Sequence, residues 1–95
     1  MPKIELSFDI DRLGQDVLKR LYAMTDEIFE SEGLKFVDRG VVRVYEDRGR
    51  KKDYGRFWAA ISALKESPEL SANLKECIWY NGSVKENLIT GFLRN

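Results

Sequence analysis

The first residues able to do chemistry lie in "IELSFDID", Ile4 to Asp11. Ile4, Leu6, Phe8 and Ile10 fall on every second position, so an extended chain buries that side and leaves Glu5, Ser7, Asp9 and Asp11 on the other. Asp9 then stands near the end of a strand, away from the core. A carboxylate so placed rests in solvent, helps to cap the helix that follows, or serves as a general base or metal ligand. A lone aspartate is a poor Mg²⁺ site, whereas two copies brought together across a dimer axis make a reasonable one. The candidate ion is therefore Mg²⁺ or Mn²⁺, and the candidate assembly is a homodimer. Asp11 carries the same ambiguity, with helix capping the stronger reading. Ser7 can donate to a phosphate but has no obvious activating base.

A second group gathers in "RGRKKDYGR", where Arg48, Arg50, Lys51, Lys52 and Arg56 face one acid, Asp53, with Tyr54, Phe57 and Trp58 alongside. Such a cluster attracts phosphates, and an exposed aromatic within it would stack on an unpaired base. The alternative is a solvated loop with Phe57 and Trp58 in the core. Total charge does not decide, because sixteen basic and sixteen acidic side chains cancel. Distribution says more: residues 1–37 hold eight acids and five bases, so the chain is polarised.

Much other chemistry is excluded. The chain has no histidine, which removes Ser/His and Cys/His nucleophiles and imidazole metal sites. Cys77 is alone, so no intramolecular disulfide forms, and it reads as a small buried hydrophobe suited to a reducing cytoplasm. "RGRKKDYG" lacks the Lys-Ser or Lys-Thr of a phosphate-binding loop. The N-terminal residues lack the basic start and apolar run of a signal peptide, and no apolar stretch is long enough to span a bilayer. The expectation is a soluble, cytoplasmic protein with no membrane partner.

The elements that position these residues follow from periodicity. Leu13, Val17, Leu21, Met24 and Ile28 recur at steps of three and four, which predicts a long helix from Asp11 to the neighbourhood of Gly33. "LKFVD" and "VVRVYED" flank Gly40 and read as a hairpin. "RGRKKDYG" reads as a loop, and Phe57, Trp58, Ile61 and Leu64 as a second helix, ended by Ser67-Pro68 with a short turn beyond. "NLKECIWYNG" reads as a strand closed by "NG". Ser83 and Glu86 have capping-box spacing, which predicts a short C-terminal helix through Leu88, Ile89 and Phe92. Residues 1–95 thus form one α+β domain on the ferredoxin-like βαββαβ plan: a four-stranded antiparallel sheet, two helices on one face and a short C-terminal helix.

"IELSFDI" before a long helix, then "EGLKFVDRGVVRVY", "FWAAISALKESPEL" and "LKECIWYNGS", resembles the virulence-associated protein D (VapD) family over nearly the whole chain. That family is related in fold to the small dimeric nuclease-like protein of CRISPR adaptation. The resemblance implies a ferredoxin-like homodimer with toxin-type endoribonuclease activity. It places the family's "FD" on Phe8 and Asp9, with Asp9 as the acid near the dimer axis, and a family glycine on Gly40. Relatives usually show glutamine before this glycine and serine after it; this chain has Arg39 and Val41. The leading expectation is RNA cleavage promoted by paired Asp9 carboxylates, with Ser7, Arg39, Arg43 and the Arg48–Arg56 segment holding the strand. The competing expectation is a catalytically silent dimeric binding protein of a toxin-antitoxin or mobile-element system, with a protein antitoxin as a further partner.

Overall fold

The computed structural model describes residues 2–93 and all their side chains except those of Asp38, Arg39 and Gly91. The chain runs β1 (Lys3–Phe8), α1 (Gln15–Ser31), β2 (Lys35–Arg39), β3 (Val42–Glu46), α2 (Asp53–Glu66), α3 (Pro68–Asn73), β4 (Leu74–Asn81) and β5 (Val84–Asn87), then a single π-helical turn, Ile89–Leu93. The five strands form one sheet in the order β2-β3-β1-β4-β5, with every neighbouring pair antiparallel. The first four strands with α1 and α2 are compatible with the ferredoxin-like plan.

Alternation in β1 behaves as its sequence predicts. Ile4, Leu6 and Phe8 are buried in one core with Leu21 and Phe29 of α1, Phe57 and Ile61 of α2, and Trp79 of β4. Leu88, Ile89 and Leu93 join the same core, so the C-terminal turn also lies on the helix side. α1 ends where expected. Gly33 adopts φ 75°, and the Gly33 and Leu34 amides donate to Glu30 O and Phe29 O, satisfying carbonyls the helix leaves open.

β3 decides what the opposite face looks like. Arg43 pairs with Leu6 and Tyr45 with Ile4, so both point toward the helices. The Tyr45 ring stacks on Phe29 with centroids 4.0 Å apart, and its hydroxyl donates to Asp26 Oδ1 at 2.6 Å while lying 3.0 Å from Thr25 Oγ1. Burial and the bond to Asp26 both push the Tyr45 phenol pKa upward, keeping it a donor. Val42 and Val44 must then face the other way. Val44 is only 2 % exposed although it lies outside the helix-side core. It sits in a row, Val37–Val44–Glu5–Ile78, bordered by a charged row, Lys35–Glu46–Lys3–Tyr80–Lys85.

Four expectations need correction. The sheet has five strands instead of four, and Ser83–Glu86 opens no helix. Asn81 pairs with Val84, so Gly82-Ser83 is a two-residue hairpin loop, and Gly82 at φ 63° supplies the positive dihedral such a turn needs. α1 starts at Gln15 with Gly14 as its N-cap and no side-chain cap, so Asp11 is not the cap. α2 begins at Asp53, so Asp53 to Gly55 belong to a helix and not to the preceding loop.

Tyr45→Phe keeps the ring stack but strands Asp26 and Thr25 without the hydroxyl. It should cost about 1–2 kcal/mol, read as a lower urea midpoint at unchanged slope.

Candidate functional site

Asp9 lies just past a register shift between Ser7 and Phe8, where β1 gives way to a turn. Its amide donates to Asn73 O at 3.2 Å, and its carbonyl accepts from the Arg12 and Leu13 amides at 3.3 and 3.1 Å. Its carboxylate lies 3.5 Å from Arg12 Nε with the side chain 37 % exposed. Arg12 in turn donates to Asn73 Oδ1 at 3.1 Å. The carboxylate is thus held on one side by a guanidinium and open on the other. Ser7, at 9 % exposure, is nearly covered and pairs across the strands with Glu76. An open cleft of about 510 Å³ begins at Ile10, the next residue after Asp9, with Leu18, Tyr22 and Val41 as walls and Asp16 and Lys19 among its polar lining. The Tyr22 hydroxyl donates to Val41 O and ties α1 to the β2–β3 turn there.

The basic segment lies at the other end of the sheet. It leaves from Glu46, which pairs with Lys3 at the start of β1. Six strand residues separate that point from Asp9, roughly 20 Å at the rise of an extended chain. One protomer therefore does not bring the two groups together.

Within the segment the cations divide into two kinds. Asp53, 1 % exposed, accepts from the Arg48 amide at 2.7 Å, the Arg50 amide at 3.3 Å and Arg50 Nε at 2.9 Å. Burial pushes the Asp53 pKa upward, but these hydrogen bonds and the Arg50 charge outweigh it and hold the carboxyl below the usual range. Arg50 also donates to Gly33 O at 2.7 Å, and Arg56 pairs with Glu32 at 3.2 Å. Both arginines brace the fold. Arg48, Lys51 and Lys52 are exposed, and their side chains make no ion pair with other described residues. Phe57 is fully buried and Trp58 half-buried, as a core reading requires, but Tyr54 is 51 % exposed.

Arg43 is not on the helix-free face. Its guanidinium sits 4.6 Å from the Tyr22 ring centroid and 4.9 Å from that of Phe36, and 3.8 Å from Asp26. Arg39 ends β2 opposite Val42, and its side chain lies outside the described residues. Among the described residues no group of three or more Cys, Asp or Glu side chains comes together to hold a metal ion. One Asp9 beside an arginine does not make an Mg²⁺ or Mn²⁺ site within a protomer. Cys77 is fully buried, and burial pushes its thiol up to about 12, so it is no nucleophile. None of the described helices is long and apolar enough to cross a membrane.

Two contributors escape the sequence reading. Asp26 looks like one acid among several on the polar side of α1, and nothing in its neighbours signals that Tyr45 and Arg43 meet it. Tyr54 stands three residues before Phe57 and so shares its helix face, and nothing in that spacing signals that its ring stays 51 % exposed. No protein-family model, curated protein or solved structure matches this chain.

Because the Asp53 pKa is depressed, the order it gives the segment is fully present above the unfolded value of about 4 and is lost as pH falls through the lower folded value. Hydrogen exchange at the Arg48 and Arg50 amides, corrected for intrinsic rates, should accelerate across that acid window. Asp53→Asn should show fast exchange there at neutral pH as well.

Proposed function

We propose that this protein is a homodimeric endoribonuclease of the VapD type, in which two copies pack through the helix-free sheet face and each Asp9 acts on RNA near the shared axis. The observation that carries the proposal is the composition of that face. Val37, Val42 and Ile78 lie half-buried on it around the covered Val44, with Glu5 between Val44 and Ile78, and the charges on its margin alternate in sign between Lys35, Glu46 and Lys3. A partly apolar sheet face of this kind is covered in a stable assembly, and a second copy offers the matching charges. Asp9, at the end of the central strand, has the free edge needed to accept the proton of the oxygen that attacks phosphorus, with Arg12 orienting the carboxylate. One carboxylate per protomer is too few for a divalent ion, so Mg²⁺ or Mn²⁺ would be held only by the two Asp9 carboxylates of the dimer together.

A second reading has its own support. Asp9 is engaged with Arg12 and stands a strand length from the basic segment, which favours a dimer that binds a protein or RNA without turnover.

Light scattering should give twice the protomer mass. Ile78→Lys, on the free face, should give a folded monomer; an unchanged dimer would place the interface elsewhere. Incubated with a mixed RNA pool, with and without Mg²⁺ or Mn²⁺, the wild-type chain should cleave. Asp9→Ala should remain dimeric and lose cleavage by at least a hundredfold, the lower range for a lost general base. Full cleavage by this variant would take Asp9 out of the mechanism, and binding without turnover by the wild type would select the second reading.

A further inference from the structure

The buried carboxylate of Asp53 separates the cations of the basic segment into braces and free groups. Arg50 is used twice, on Asp53 and on Gly33 O, and Arg56 is used on Glu32. What remains is a compact outward patch: Arg48, Lys51 and Lys52, with Tyr54 on the first turn of α2 directly after them. Tyr54 is 51 % exposed, the largest aromatic surface left open among the described residues. The ring meets Trp79 with centroids 5.8 Å apart at 73°. That contact holds the ring and still leaves half of the residue open to solvent. Glu32 and Asp53, which contact this segment, are both committed to arginines, and Asp47, directly before it, is half-buried.

We propose that this patch is a binding site for single-stranded RNA, in which one unpaired base stacks on Tyr54 while Arg48, Lys51 and Lys52 hold the flanking phosphates. The proposal rests on the RNA reading above and adds its strand type and its anchoring residue. The chemistry is that of sequence-tolerant single-strand binders, where an open ring takes a base face and nearby cations track the backbone. A duplex keeps its bases stacked on one another and cannot use the ring. Rigidity matters here, because a loop that had to order itself on binding would lose much of the gain. Three hydrogen bonds to one carboxylate supply that order in the free protein. Since Trp79 faces the helices, the patch lies away from the sheet face assigned to the second copy, and dimer and RNA site can coexist.

The test uses the full chain, a labelled unstructured oligouridine, and an RNA duplex of equal length, with affinity followed across a salt series. Tyr54→Ala should weaken oligouridine binding about tenfold, with unchanged salt slope and unchanged duplex binding. Tyr54→Phe should bind like the wild type. Replacing Lys51 and Lys52 together by alanine should lower the salt slope by roughly 0.7 for each cation removed. If Tyr54→Ala binds oligouridine as tightly as the wild type, or weakens duplex and single strand alike, the stacking site is overturned while the RNA reading stands. If the wild type binds neither RNA, both fail together.

Discussion

The structure depends on how α1 is fastened to β3. Asp26 accepts the Tyr45 hydroxyl at 2.6 Å and lies 3.8 Å from the Arg43 guanidinium, while Phe29 stacks flat on the Tyr45 ring. A hydroxyl and a guanidinium under a helix are costly unless compensated; the Asp26 carboxylate accepts the hydroxyl's hydrogen bond and offers the guanidinium an opposite charge at 3.8 Å. Once Tyr45 and Arg43 face inward, the pleat leaves Val42 and Val44 no choice but to face outward. The place of these valines on the free face is therefore a consequence of the polar fastening on the covered one.

That coupling explains why some of the fold was legible in the sequence and some was not. β1 has apolar residues on one side and polar ones on the other, so its orientation can be read directly. α1 has the same clarity at helical spacing. "VVRVYED" has apolar residues on both sides of the strand, and alternation alone cannot say which side is covered. The answer comes from Asp26, nineteen residues away, through a contact that only the folded chain makes. Arg43, expected to hold RNA, is drawn under α1 by the same contact. At the C-terminus two local signals compete. Ser83 and Glu86 have capping-box spacing, but Gly82-Ser83 also suits a two-residue hairpin, and pairing along the open edge of β4 prevails. The four residues of β5 are all exposed, with Lys85 and Glu86 among them, so the new edge is short and charged and resists further pairing.

The basic segment shows a different limit. Five cations in nine residues look interchangeable in sequence, and counting charge treats them so. Burial of Asp53 breaks the equivalence. It recruits two backbone amides and Arg50, turning part of the cluster into scaffold and leaving the rest exposed on it. Arginine suits the bracing role because its planar fork can serve a carboxylate and a carbonyl at once, as Arg50 does with Asp53 and Gly33. The lysines, with compact hydrated heads, stay outside.

The separation of Asp9 from this segment constrains any mechanism that uses both. If the two Asp9 residues approach a twofold axis, the two basic segments lie about a strand length, roughly 20 Å, from the carboxylates, whichever way the partner sheet runs. Cations at that distance cannot neutralise the phosphate that reacts, because charges farther apart than about 8–10 Å are largely screened in physiological salt. Their contribution falls on phosphates distant along the strand and enters through binding. In the proposed reaction, charge stabilisation at the scissile phosphate would have to come from groups near Asp9 itself, and among the described cations Arg12 is the one already in contact with it. Under the proposed function, a guanidinium that orients the carboxylate in the free protein would turn toward a phosphate when RNA arrives, and the Asp9–Arg12 pair would be the unit on which that chemistry turns.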